Sequence, residues 1–85
     1  MLRTKSFHYY NPGTAVPVIA SFNPSGEIRP LYLRMDGTVL RIRSFWVKSH
    51  HLNAMEFNCK VIDNNYTKNI RLIYYMSEGV WISPP

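Results

Sequence analysis

Asp36-Gly37 lies between two stretches in which apolar and polar residues alternate, and it is the tightest constraint in the chain. Both central residues of a type I′ turn need positive φ, so Asp-Gly between alternating runs predicts a two-residue β-hairpin. Such a loop leaves the register no freedom. It sets Leu33 opposite Leu40 and Leu31 opposite Ile42 on one side, and Tyr32 opposite Arg41 and Arg34 opposite Val39 on the other. One face is thereby aliphatic, and the other carries Tyr32, Arg34, Arg41 and Arg43. A slip of one residue would mix the two sets, so turn chemistry and hydrophobic pattern agree.

No helical period stands out elsewhere. Apolar residues alternate and turn residues return about every ten positions, the pattern of an all-β chain. Strands are expected over 16–22, 28–35, 38–47, 53–62, 67–76 and 80–83. Asn23-Pro24-Ser25-Gly26 reads as a four-residue turn that sets Val18 opposite Leu31 and Val16 opposite Leu33. Asp63-Asn64-Asn65-Tyr66 reads as the next, because Asn accepts positive φ. It sets Cys59 opposite Ile70, Phe57 opposite Leu72 and Met55 opposite Tyr74. Between these hairpins, a loop of Ser49 to Leu52 would set Trp46 opposite Met55, Ser44 opposite Phe57 and Ile42 opposite Cys59. Glu78-Gly79 would return Trp81 beside Met76. Trp46, Trp81, Phe57 and Tyr74 then share the inner face as core.

These registers describe an antiparallel meander of five or six strands. A twisted sheet with one apolar face buries it by curling, so a small SH3-like or OB-like barrel is expected, with an open sheet as the alternative. Eighty-five residues make one domain, read as an N-terminal arm over 1–14 and a single β-barrel domain over 15–85. Pro17 lacks a donor N–H and points to an edge strand, and Pro30 to a bulge or an outward-facing position. The outer face also holds Ile19, Ile28, Tyr32, Phe45, Ile73 and Tyr75, more apolar surface than a small monomer usually shows. The arm, with Phe7, Tyr9 and Tyr10, or a second copy of the chain would cover it.

The charge is lopsided. Residues 1–49 hold seven Lys and Arg against two acids, whereas residues 50–85 hold three of each, so the whole excess of +5 lies in the first half. Arg34, Arg41 and Arg43 with Tyr32, and Arg29 and Lys48 near the ends, form a basic and aromatic group. Small β-barrels bind single strands with this mixture, stacking bases on aromatics while cations follow the phosphates. A solvated cationic face that blunts aggregation is the competing reading.

Other chemistry is poorly served. Cys59 is the only cysteine, so no intramolecular disulfide forms and a reducing compartment is expected. It falls on the apolar face between Ile42 and Ile70, a poor setting for a nucleophile. His8, His50 and His51 lack the spacing of a zinc site, and neither metal nor cofactor is expected. Glu27, Asp36, Asp63 and Glu78 fall at turns, and Glu56 points outward diagonal to Arg71 as a surface ion pair, so no general acid–base pair is implied. The first residues carry no secretory apolar core, and no run approaches the ~18 apolar residues of a membrane span.

The run from Phe22 through Asn23-Pro24-Ser25-Gly26-Glu27-Ile28-Arg29-Pro30-Leu31-Tyr32-Leu33 to Arg34 resembles the opening of a group of small uncharacterised bacterial proteins. Glu56-Phe57-Asn58-Cys59-Lys60-Val61, Ile70-Arg71-Leu72-Ile73-Tyr74-Tyr75 and a closing Trp81 are similar to later parts of the same group. The resemblance covers roughly 16–82 and leaves the arm out. It implies a compact β fold in a Gram-positive bacterial cytoplasm and supplies no activity or catalytic residue. The expectation is therefore a non-enzymatic binding module. Its candidate nucleic-acid or polyanion site is Tyr32, Arg34, Arg41, Arg43 and Lys48. The rival is a protein-interaction module or homodimer built on Ile28, Phe45, Ile73 and Tyr75.

Overall fold

The computed structural model describes residues 13–85, so all but the last two positions of the expected arm fall outside it. Seven antiparallel strands follow: β1 (Thr14–Ala15), β2 (Val18–Phe22), β3 (Ile28–Met35), β4 (Thr38–His50), β5 (Ala54–Asp63), β6 (Tyr66–Tyr75) and β7 (Val80–Ser83). Their order across one sheet is β1-β7-β6-β5-β4-β3-β2. The strands β1 and β2 thus occupy opposite edges although only Val16 and Pro17 separate them. The Val16 N–H donates to the Trp81 carbonyl on β7 at 3.0 Å, and the Pro17 carbonyl accepts from the Arg34 N–H on β3, also at 3.0 Å. One extended segment therefore ties the two edges together and gives the sheet its barrel-like curl. Pro17 has no N–H with which to continue a ladder, and the chain passes from one edge to the other there. The strand expected over 16–22 accordingly begins only at Val18, and a further short strand precedes it at Thr14–Ala15, which raises the count from six to seven. At the start of this segment Gly13 has φ +114, and a Cβ there would collide with the Ser83 carbonyl.

Two hairpins follow the sequence directly. Asp36 and Gly37 have φ 53 and 77, and Asn64 and Asn65 have φ 50 and 70, as type I′ turns require. Tyr32 pairs with Arg41, Leu33 with Leu40 and Arg34 with Val39. The β5–β6 ladder runs through ten pairs without interruption, including Cys59 with Ile70, Phe57 with Leu72 and Met55 with Tyr74.

Elsewhere bulges reset the register. Against β2, Val18 pairs with Leu33 and not Leu31, and Val16 belongs to the β7 side. Ile19 pairs with Tyr32 but Ala20 with Pro30, so Leu31 is an extra residue and faces solvent rather than Ile42. Pro30 takes the vacated inner position and is fully buried next to this bulge. The turn before β3 is also longer than expected. Asn23 closes it by accepting the Gly26 N–H on its carbonyl at 2.9 Å and the Glu27 N–H on its side chain at 2.8 Å. That sets Phe22 opposite Ile28.

Between β4 and β5 the expected pairs are all displaced. Ile42 pairs with Val61, Ser44 with Lys60, Phe45 with Cys59, Trp46 with Asn58 and Val47 with Phe57. The shifts fall between Ile42 and Ser44 and between Val47 and Ser49, which makes Arg43 and Lys48 the unpaired extra residues. Each bulge changes the phase of the following side chains. Phe45 turns inward against the core, and Trp46 turns outward with 48% of its surface exposed. At the last turn the chain uses Met76 to Gly79, the Gly79 N–H donating to the Tyr75 carbonyl at 2.9 Å, so Trp81 pairs with Tyr74 and not Met76.

Leu33, Leu40, Ile42, Phe57, Cys59, Val61, Leu72 and Trp81 form the core cluster, with Phe57, Cys59, Val61 and Leu72 shut off from solvent. Aromatic rings cross the concave side in sequence. Centroids are 5.8 Å apart for Phe22–Tyr74, 4.7 Å for Tyr74–Trp81, 5.4 Å for Trp81–Phe57 and 5.8 Å for Phe57–Phe45. Phe22 on β2 and Tyr74 on β6 belong to strands far apart in the sheet, so their contact spans its hollow. Burying each large apolar side chain contributes about 1.5–3 kcal/mol.

Candidate nucleic-acid interface

The convex face of β3, β4 and β5 carries the candidate residues. The Asp-Gly hairpin puts Tyr32 beside Arg41 and Arg34 beside Val39, and all four are exposed. The ladders extend the first row through Ile62 to Thr67. One row further along, Ser44, Lys60 and Asn69 align, and after them Trp46, Asn58 and Arg71. Arg43 projects from the bulge between these rows. Trp46 lies five positions along the strand from Arg41, about 16 Å. The face thus presents one aromatic ring near each end, Tyr32 and Trp46, with Arg41, Arg43 and Lys60 between them.

The cations divide into two kinds. Among the described residues Arg34, Arg41, Arg43 and Lys60 make no ion pair. Arg71 donates to Glu56 at 2.7 Å through Nε, and Lys48 approaches the same carboxylate oxygen at 3.9 Å. Arg29 lies 3.4 Å from Glu27 and 5.7 Å from the centre of the Phe45 ring. Lys68 lies 3.2 Å from Asp63. Exposed pairs of this sort are worth about 0–1 kcal/mol and leave local charge reduced. The structure therefore brings Tyr32, Arg34, Arg41 and Arg43 together as free groups. It sets Lys48 apart, tied to Glu56 at a second bulge.

Trp46 is the residue that sequence reasoning assigned to the wrong side. Regular alternation places it inside, and only the bulge at Arg43 reverses it. The one local hint is the Phe45-Trp46-Val47 run, three consecutive apolar residues that strict alternation cannot accommodate. Trp46 now stands over a shallow depression walled by Asn58, Asn69, Ile70 and Arg71. The rival apolar set is divided as well, Phe45 by the bulge at Arg43 and Ile28 by the β2–β3 bulge at Leu31. Ile28 and Phe45 pack against the core, whereas Ile73 and Tyr75 lie half-buried on the convex side.

The remaining reactive groups do not converge. Burial pushes the Cys59 thiol up to about 12. His50 and His51 are exposed, and His8 lies outside the described residues. Among the described residues no three His, Cys, Asp or Glu side chains gather where they could hold a metal ion. No helix among them is long and apolar enough to cross a membrane. Glu78 accepts from Ser77 Oγ at 2.9 Å and Asn53 Nδ2 at 3.3 Å, and these bonds hold its carboxyl below the usual range. Asn53 in turn accepts the Ser77 N–H at 2.8 Å on its side chain, fastening the β4–β5 loop to the β6–β7 turn.

Comparison with known protein families, with curated proteins and with solved structures finds no match to this chain.

Proposed function

We propose that the chain is a non-enzymatic module that binds nucleic acid through the convex face of β3–β5, in a bacterial cytoplasm and on an SH3-like or OB-like barrel. The observation that carries this reading is the pair of exposed, unpaired Arg41 and Arg43 set between the exposed rings of Tyr32 and Trp46, with the unpaired Arg34 on the turn side of Tyr32. Arginine supplies a planar fork that matches phosphate, and an exposed ring supplies a stacking platform indifferent to base identity. A purely solvating face would need the cations but not the two large rings beside them. The acids support a binding role over catalysis, since Glu56 is engaged by Arg71 and Lys48 and the others sit at turns.

The test is fluorescence anisotropy of a labelled single strand and a labelled duplex at two salt concentrations. Each phosphate contact to a single strand lowers log K against log salt by about 0.7, so three arginine contacts give a slope of about −2. Arg41→Glu with Arg43→Glu should abolish binding, whereas Lys48→Gln should change it little, because Lys48 already faces Glu56. Absence of binding at low salt overturns the reading.

A further inference from the structure

Resting on the reading just given, we infer that the apolar depression beside Tyr32 is a pocket for a single nucleobase of a bound single strand. The pocket lies where the first extended segment passes from β7 to β3. Pro17 and Ile19 form one wall, Tyr32 and Arg34 the other, and Val39 closes the side, around a volume of about 240 Å³. Ile19 faces Tyr32 and Arg34 faces Val39 directly across the strands. The Arg34 N–H to Pro17 carbonyl bond holds the walls in place at 3.0 Å.

Size, polarity and charge each narrow the occupant. Pockets for drug-sized ligands run from about 300 to 1,000 Å³, so this one suits a single ring system. Its lining is apolar except for a phenol and a guanidinium, and Ile19 and Val39 leave 63% and 58% of their surfaces in water. A flat ring laid against Tyr32 would cover that surface. Arg34 and Arg41 flank the ring position with no carboxylate partner among the described residues, so the occupant carries negative charge beside its ring. The cationic row toward Trp46 continues that charge along the face, as a strand of linked nucleotides requires. Bases inside a duplex are stacked and paired and cannot enter, so the pocket selects single strands.

The test compares a labelled five-nucleotide DNA strand with the same backbone lacking bases, bound to the wild type and to Val39→Phe. The substitution fills the pocket at an exposed position without altering charge, and its thermal unfolding is checked alongside. The wild type is expected to prefer the intact strand by about 5- to 100-fold, the range of base-stacking contributions. Val39→Phe should lose at least fivefold of that preference while keeping the wild-type affinity for the baseless strand and the same salt slope. Undiminished preference in Val39→Phe overturns the pocket while salt-dependent binding leaves the interface intact. Absence of binding to either strand overturns both. Displacement of the intact strand by an acidic, Phe-containing peptide at equal concentration and salt would assign the pocket to a protein partner and overturn the inference.

Discussion

The β5–β6 hairpin and the β4–β5 pair share a strand, yet their registers were set in different ways. The former closes through Asn64-Asn65 and continues through ten regular pairs. The latter closes through a loop around Leu52 and shifts twice in eight pairs. A two-residue type I′ turn transmits its register outward from the turn, because its twist matches that of the strands. A longer loop transmits none, and packing against the finished core then decides where extra residues are expelled. Arg43 and Lys48 are those residues, and both carry charges that solvent accepts readily.

The adjacent residues Phe45 and Trp46 offer the sharpest way to break this comparison. Phe45→Ala should destabilise the protein by about 3 kcal/mol, since it opens a cavity against Phe57. Trp46→Ala should change stability by less than about 0.5 kcal/mol while weakening single-strand binding about 5- to 100-fold. Chemical denaturation of the two variants separates the alternatives, and the opposite ranking would restore the unbulged register. Turn chemistry gives a smaller effect. Asn65→Val places a β-branched residue at φ 70 and should cost about 1–3 kcal/mol. Leu52→Ser, at a position wholly exposed in the longer loop, should stay within about 0.5 kcal/mol. Equal losses at the two sites would mean that the turn does not set the register. The smallest effect concerns the fastening between the β4–β5 loop and the β6–β7 turn. Glu78 has its carboxyl pKa lowered by Ser77 and Asn53, so it stabilises the fold fully above its ordinary unfolded value, 4.5. The contribution is lost as pH falls through the lower folded value. Glu78→Gln should therefore flatten the acid side of a stability-against-pH curve, measured by denaturant midpoint between neutral pH and pH 3.

Much of the candidate face was legible in the chain because it adjoins the Asp36-Gly37 turn. Tyr32, Arg34 and Arg41 lie within five residues of that turn, and local chemistry alone put them on one side. Arg43 is itself the bulged residue, and alternation from the same turn already put it on the outer face, where it is exposed. Trp46 was not legible, because a single extra residue upstream reverses its face and nothing local marks where that residue will be. The pocket beside Tyr32 was hidden for a different reason. Its walls come from Pro17, Tyr32 and Val39, and Pro17 joins them only because the first segment crosses from one sheet edge to the other.

The sequence by itself determined an all-β antiparallel chain, two hairpins with their registers, a basic first half and a buried Cys59. These follow from backbone preferences at Asp, Asn and Gly and from period-two alternation, which act over a few residues. Only the tertiary structure decided which strands close on each other and which residues bulge. It also decided that Trp46, not Phe45, faces solvent. Those outcomes depend on fitting Phe22, Tyr74, Trp81, Phe57 and Phe45 into one hollow at close-packed density, a condition that no short segment carries alone.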